Sequence, residues 1–303
     1  MIKISELNDP PEKYGAERAA EVAHLVAKYS EMHETERAFV TGLILHYKPK
    51  KVLEVGVSSG GGSVVILNAI RDIVDAHLYS IDLFEQYYKD KNKPIGWLVE
   101  AAAPELSGMR TSYAGKDAAQ VMDFIGEVDF LVLDTAHVHP VETLNFLCIL
   151  PYLKDGAVVV LHDISLGLGR KGYIAAGNAN RILFSTVAGE KLTPQEKYAP
   201  FPNIGAFQVS VDTRTYLYNM FSSLYLPWGR LYARPWKMFV ISELIKIYAE
   251  TFKRFYGIKY HDMFLDAVKA QDTLYKNVSF FTFTLQLVWQ FVNGGLKLLA
   301  GKI

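Results

Sequence analysis

The chain contains a single cysteine, Cys148, among its 303 residues. That excludes an intramolecular disulfide and any zinc site built on paired cysteines. It also lacks net charge, because 32 Lys and Arg balance 32 Asp and Glu. This balance argues against a general nucleic-acid binder, and no nucleic-acid partner is expected. The opening stretch MIKISELNDPPEKYGAERAA holds no apolar run of signal-peptide length, so the cytoplasm is the expected compartment. There is no internal repeat and no low-complexity tract. Half of the residues are apolar and 21% are charged. Wholesale disorder is thereby excluded.

What is present divides into three parts. Residues 1–50 are predicted to form a helical lead, with apolar positions three and four apart over residues 17–47 and a stop at Lys48-Pro49-Lys50. Residues 51–212 alternate short apolar runs with helical patterns. KVLEVG, AHLYSIDL, VDFLVLD and GAVVVLHD read as buried strands, IGAFQVSVD as a late strand, and the stretch from Ile164 to Pro202 as a long loop. Residues 213–303 are rich in Tyr, Phe and Trp at helical spacing. Short apolar strands alternating with helices predict an α/β fold, a doubly wound and mostly parallel sheet with helices on both faces. Ligands of such sheets sit beyond the carboxyl ends of the strands. Glu54, Asp82, Asp134, His162 and Asp163 all fall at those ends.

The first strand runs into Gly56-Val57-Ser58-Ser59-Gly60-Gly61-Gly62, and a helix follows. Small residues in such a turn let a ligand reach main-chain N–H groups and a helix N-terminus. A dinucleotide fingerprint would have glycine where Ser58 stands.

VLEVGVSSGGGS resembles motif I of the class I S-adenosylmethionine-dependent methyltransferases, with Glu54 as the acidic residue ahead of the turn. The stretch VDFLVLDTAHVHPVETLNFLCILPYLKDGAVVVLHDI resembles one branch of them, the small-molecule and sugar O-methyltransferase-like group that includes cephalosporin-hydroxylase-like proteins. The likeness covers about residues 35–212. It implies a Rossmann-like fold, S-adenosyl-L-methionine as cofactor and methyl transfer to a small-molecule or sugar hydroxyl. It implies cofactor contacts from Glu54, Gly56, Val57, Ser58, Ser59, Asp82 and Leu83. Asp82 would bind the ribose hydroxyls, and Lys116 and Asp117 would lie near the adenine. Some relatives hold magnesium at positions that correspond to Asp134, His162 and Asp163. The histidine departs from their acidic residue, since magnesium prefers oxygen, and a divalent cation (magnesium or manganese) stays open. His137 is the expected general base, with His139 and His162 behind it, because an imidazole titrates near neutral pH.

Arg170 and Lys171 lie in the long loop, where they could meet an anionic substrate. In the tail, KMFVISELIKIYAETFKRFYG reads as an amphipathic helix ending at Gly257. The stretch SFFTFTLQLVWQFVNGGLKLLAG is interrupted by Gln286, Gln290, Asn293 and two glycines. Burial against the core or against a second subunit is favoured there, which makes a homo-oligomer through this appendix an expectation. Attachment to a membrane surface is the lesser reading. Two functional alternatives stand beside the methyltransferase: an NAD-dependent oxidoreductase, and a catalytically silent binding or assembly protein with the same fold.

Overall fold

The computed structural model describes residues 3–166, 179–195, 201–228 and 238–276. The helical lead comprises α1 (Pro11–Tyr14), α2 (Ala16–Glu21), α3 (Ala23–Val26) and α4 (Glu34–Tyr47). The single helix expected over residues 17–47 is therefore broken. The amides of Tyr29 and Ser30 close on Val26, and α4 restarts behind a capping box in which Glu36 accepts the His33 N–H at 2.6 Å. The apolar period runs on across the break because Val22, Val26, Met32 and Phe39 all enter one core. Lys48, in a left-handed conformation, ends α4 ahead of Pro49 as expected.

The central unit runs β1 (Lys51–Val55), α5 (Gly61–Ile70), β2 (His77–Asp82), α6 (Trp97–Ala102), β3 (Arg110–Ala114), α7 (Ala118–Ile125), β4 (Val128–Leu133), α8 (Val141–Ile149) and β5 (Leu153–His162). After it come α9 (Ala179–Thr186), β6 (Lys191–Leu192) and β7 (Ile204–Gln208). The sheet order is β3-β2-β1-β4-β5-β7-β6. Neighbours are parallel from β3 to β5, and β7 runs antiparallel to β5 and to β6. This is the doubly wound fold read from the sequence. The expected loop over residues 164–202 instead contains α9 and β6. Leu183 of α9 is fully buried, and the edge pairs Lys191 with Phe207 and Leu192 with Ala206.

Strand alternation separates two cores. Val52, Leu78, Phe130, Val132, Val158 and Val160 face α4, α5 and α6. Leu53, Val55, Leu131, Leu133, Val159 and Leu161 face α7 and α8. The second core continues into α10 (Val211–Thr215), α11 (Leu217–Ser223), α12 (Met238–Tyr256) and α13 (Ile258–Lys276). Phe221, Tyr248, Phe252 and Phe264 of this appendix are buried in the same cluster as β4 and α8. The amphipathic helix ends at Gly257, whose φ is 83°, as predicted. Among the described residues no helix is long and apolar enough to cross a membrane. The expectations for Arg170, Lys171 and the stretch 278–300 lie outside the described residues.

Strand order reverses between β1 and β4, and that opens a crevice at their carboxyl ends. Asp134 donates its N–H to the Val55 carbonyl at 2.9 Å. A Cβ on Gly56, whose φ is +91°, would lie 1.8 Å from the Asp134 carbonyl oxygen. Only glycine lets the first turn leave the sheet this close to the end of β4.

Candidate active site

The glycine-rich turn is held from below and from one side. From below, Glu54 is buried and accepts hydrogen bonds from Ser63 Oγ at 2.5 Å and Ser80 Oγ at 3.0 Å. Burial pushes its pKa up to about 7, against the two hydroxyl bonds and the attraction of Arg110. From the side, Asp82 Oδ2 accepts the N–H groups of Val57 (2.9 Å) and Ser58 (3.1 Å), and Oδ1 accepts that of Phe84 (2.9 Å). A carboxylate has about four lone-pair sites. Three are filled, so Asp82 keeps room for about one ribose hydroxyl rather than for both of a diol.

Ser58 sits at φ 54° where a dinucleotide fingerprint has glycine. Its hydroxyl is buried with no hydrogen-bond partner among the described residues, a donor and acceptor left over inside the turn. Ser59 Oγ instead donates to the Tyr29 carbonyl at 3.0 Å, which ties the turn to the N-terminal lead. The adjoining Leu83 and Phe84 are exposed apolar side chains at the end of β2. The turn, with its open hydroxyl and partly filled Asp82, has the chemistry to hold an adenosyl cofactor.

At the β3–α7 turn Lys116 is exposed and Asp117 is buried. Asp117 is the N-cap of α7: Oδ1 accepts the Ala119 N–H at 2.9 Å, and Oδ2 accepts the Tyr248 hydroxyl at 2.8 Å.

The strand-end residues of β4 and β5 converge. Asp134 Oδ1 lies 3.1 Å from His162 Nδ1 and 3.4 Å from His137 Nε2. His137 Nε2 also lies 3.0 Å from Asp163 Oδ2. The other nitrogen of His162, Nε2, meets Glu36 Oε2 at 3.2 Å. Burial opposes charge on His162, but the carboxylates of Asp134, Glu36 and Asp163 hold its pKa well above the ordinary imidazole value. Burial likewise opposes charge on Asp134, and the two histidines bring its pKa below the usual range. Behind His137, Glu142 is fully buried, and one of its oxygens takes the Thr135 hydroxyl and the His137 N–H. Burial raises the pKa of Glu142 against the pull of His137. The amide of Asn180 lies 3.3 Å from His137 Nδ1 and also bonds the His162 carbonyl, while that of Asn203 holds Asp163.

One donor atom each from Asp134, His162 and Asp163 fall within 4.8 Å of one another. Two carboxylates and one imidazole make a mixed oxygen and nitrogen set, which suits manganese better than magnesium. An ion held there would leave His162 Nε2–H on Glu36, the arrangement in which an outer carboxylate fixes a metal-binding histidine. The donor set fits a divalent cation. His139 does not join the cluster. It is buried, its Nε2 is 3.0 Å from the Ser223 carbonyl, and burial drives its pKa down to about 4. The expectation that it backs up His137 is overturned, because it packs against the appendix.

Sequence reasoning missed Glu36, Glu142, Asn180 and Asn203. A capping-box glutamate such as Glu36 looks solvated in the sequence. No signal in the sequence separates it from an ordinary solvated cap residue.

Residues 53–164 match the family model described as a methyltransferase domain. The match runs from within β1 to just beyond β5 and includes both the glycine turn and the cluster. This part of the chain is similar to methyltransferase domains. No curated protein matches the chain. Among solved structures, the O-methyltransferase TomG from Streptomyces achromogenes, in complex with S-adenosylmethionine, is 15% identical with a TM-score of 0.47, over 64% of this chain and 90% of that one. An O-methyltransferase from Bacillus cereus, in complex with S-adenosylhomocysteine, is 14% identical with a TM-score of 0.46, over 64% and 91%.

Proposed function

We propose that this chain is an S-adenosylmethionine-dependent methyltransferase acting on a hydroxyl of a small molecule or sugar, with His137 as the group that receives the acceptor's proton. The observation that carries the reading is the position of His137 Nε2, 3.0 Å from Asp163 and 3.4 Å from Asp134 at the switch point of the sheet. A proton placed on that nitrogen lies between two carboxylates, which stabilise the resulting imidazolium. Glu142 and Asn180 fix the ring from its other side. S-adenosylmethionine, when bound, would supply a sulfonium-activated methyl group, with the neutral thioether as its leaving group. Asp82, the turn from Gly56 to Ser59, and Leu83 hold the adenosyl portion; Glu54 braces the turn from beneath; Lys116 and Asp117 border it. A divalent cation at Asp134, His162 and Asp163 would orient the acceptor oxygen and favour its alkoxide.

The family match is to a methyltransferase and gives no support to an NAD-dependent oxidoreductase or to a silent binding protein. The finer expectations belong to the same reading. The enzyme works in the cytoplasm, and the exposed Tyr216, Tyr218, Tyr225 and Leu226 of the appendix suit contact with a second copy.

Calorimetric titration tests the proposal. Wild-type protein should bind S-adenosylhomocysteine and not NAD; the opposite result sinks it. His137→Ala should keep that binding and lose methyl transfer to the acceptor that co-purifies and is read by mass spectrometry. Magnesium and manganese titrated into the S-adenosylhomocysteine complex decide the cation. If neither binds, and Asp134→Asn leaves cofactor binding unchanged, His137 acts without a metal.

A further inference from the structure

The hydrogen bond between the C-terminal appendix and the β3–α7 turn has no role in the chemistry described above. Tyr248, in the middle of α12, is 4% exposed, and Asp117 is 6% exposed. Their bond of 2.8 Å joins residues 131 positions apart. Tyr248 is held by aromatic neighbours, stacked on Phe252 at 6.3 Å and edge-on to Phe264 at 6.3 Å. Its hydroxyl therefore has a fixed direction.

From Asp117 the connection continues toward the glycine turn. The Lys116 N–H bonds the Asp82 carbonyl at 3.0 Å, and the Gly115 N–H bonds the Phe84 carbonyl at 3.2 Å. The Asp82 side chain then holds the N–H groups of Val57 and Ser58. Hydrogen bonds joined through the backbone of residues 116–117 and through Asp82 thus run from α12 to the turn on which the cofactor is proposed to lie. Burial raises the pKa of Asp117, and the Tyr248 hydroxyl works against that rise. Without the hydroxyl, Oδ2 of a buried carboxylate has lost its donor, and the turn can relax to find another.

We infer that Tyr248 is a positioning residue for the cofactor cleft: through Asp117 it fixes the β3–α7 turn against Asp82 and so sets the affinity for the cofactor. The appendix is then a working part of the methyltransferase site. This rests on the reading that the glycine turn binds the adenosyl group.

The test is the dissociation constant for S-adenosylhomocysteine, measured by calorimetry on the full chain. Tyr248→Phe should weaken binding about fivefold to tenfold, the scale of one ordinary lost hydrogen bond. Tyr256→Phe is the control. It lies on the same helix and in the same core, and its hydroxyl bonds the Leu147 carbonyl at 2.6 Å, away from the turn. It should lose comparable stability and keep its affinity within twofold. Unchanged binding in Tyr248→Phe, or equal weakening in both variants, overturns the inference. If Tyr248→Phe does not fold, hydrogen exchange on the wild type answers the question. Added S-adenosylhomocysteine should slow exchange in α12 as well as in residues 113–120, because the coupling is reciprocal. Protection confined to the turn overturns it. Failure of the wild type to bind S-adenosylhomocysteine at all would instead refute the proposed function itself.

Discussion

Replacing Glu54 with glutamine should make the protein's stability less dependent on pH. Burial lifts this carboxyl from its ordinary 4.5 to about 7 in the folded chain. Between those values the folded state holds a proton that the unfolded state has released. Stability then falls as pH rises through the window, with the full effect reached above pH 7. At about 1.36 kcal/mol per pH unit, the interval from 4.5 to about 7 corresponds to about 3 kcal/mol. Glutamine keeps the shape and one oxygen for Ser63 or Ser80, but has no charge to bury. Urea unfolding at pH 5, 6, 7 and 8 should show Glu54→Gln close to the wild type at pH 5 and gaining on it by up to about 3 kcal/mol at pH 8. His162 titrates in both proteins, so the difference between the two profiles isolates Glu54. Parallel profiles would refute the reasoning, because a carboxyl that titrates normally leaves no such difference.

Asp82→Ala should weaken S-adenosylhomocysteine about tenfold or more. The structure leaves room for about one ribose hydroxyl, worth about 1.5–3 kcal/mol when fully desolvated, and the change also frees the Val57 and Ser58 amides. An unchanged dissociation constant with the fold intact would remove Asp82 from the site. Gly56→Ala should destabilise the protein by about 3 kcal/mol or more, since its Cβ would collide with the Asp134 carbonyl at 1.8 Å; a urea midpoint equal to that of the wild type contradicts the close approach. Chelator should leave methyl transfer intact if His137 acts alone and abolish it if a cation orients the acceptor.

The parallel strands were legible because both of their faces are buried. KVLEV, VDFLVL and AVVVLH are nearly continuous apolar runs that end in polar residues, and those ends are where the crevice opens. Asp117 was legible as a helix cap because an Asp ahead of AAQVM is a strong start signal. The lead was not, since a hydrophobic period cannot reveal a turn when both halves pack into one core. Glu36 and Glu142 were not legible either. Each stands in the first turn of a helix, where acidic residues are ordinarily favoured by the helix dipole, so nothing in the sequence separates a solvated glutamate from one facing a histidine across the fold. Tyr248 was one aromatic among many in the appendix until its partner on α7 was known.

The contact between Glu36 and His162 spans 126 residues of sequence, and that fixes when the site can come into being. A nascent chain displays α4 early, yet the imidazole that answers Glu36 is made only with the last residue of β5. The strand that pairs with that residue, β7, is made later still, placing Ile204 beside His162. Pairings of such long range are slow to close. The cluster around His162 is therefore complete only once β5 has joined a sheet that α4 already covers. The glycine turn and its helix, by contrast, are local in sequence.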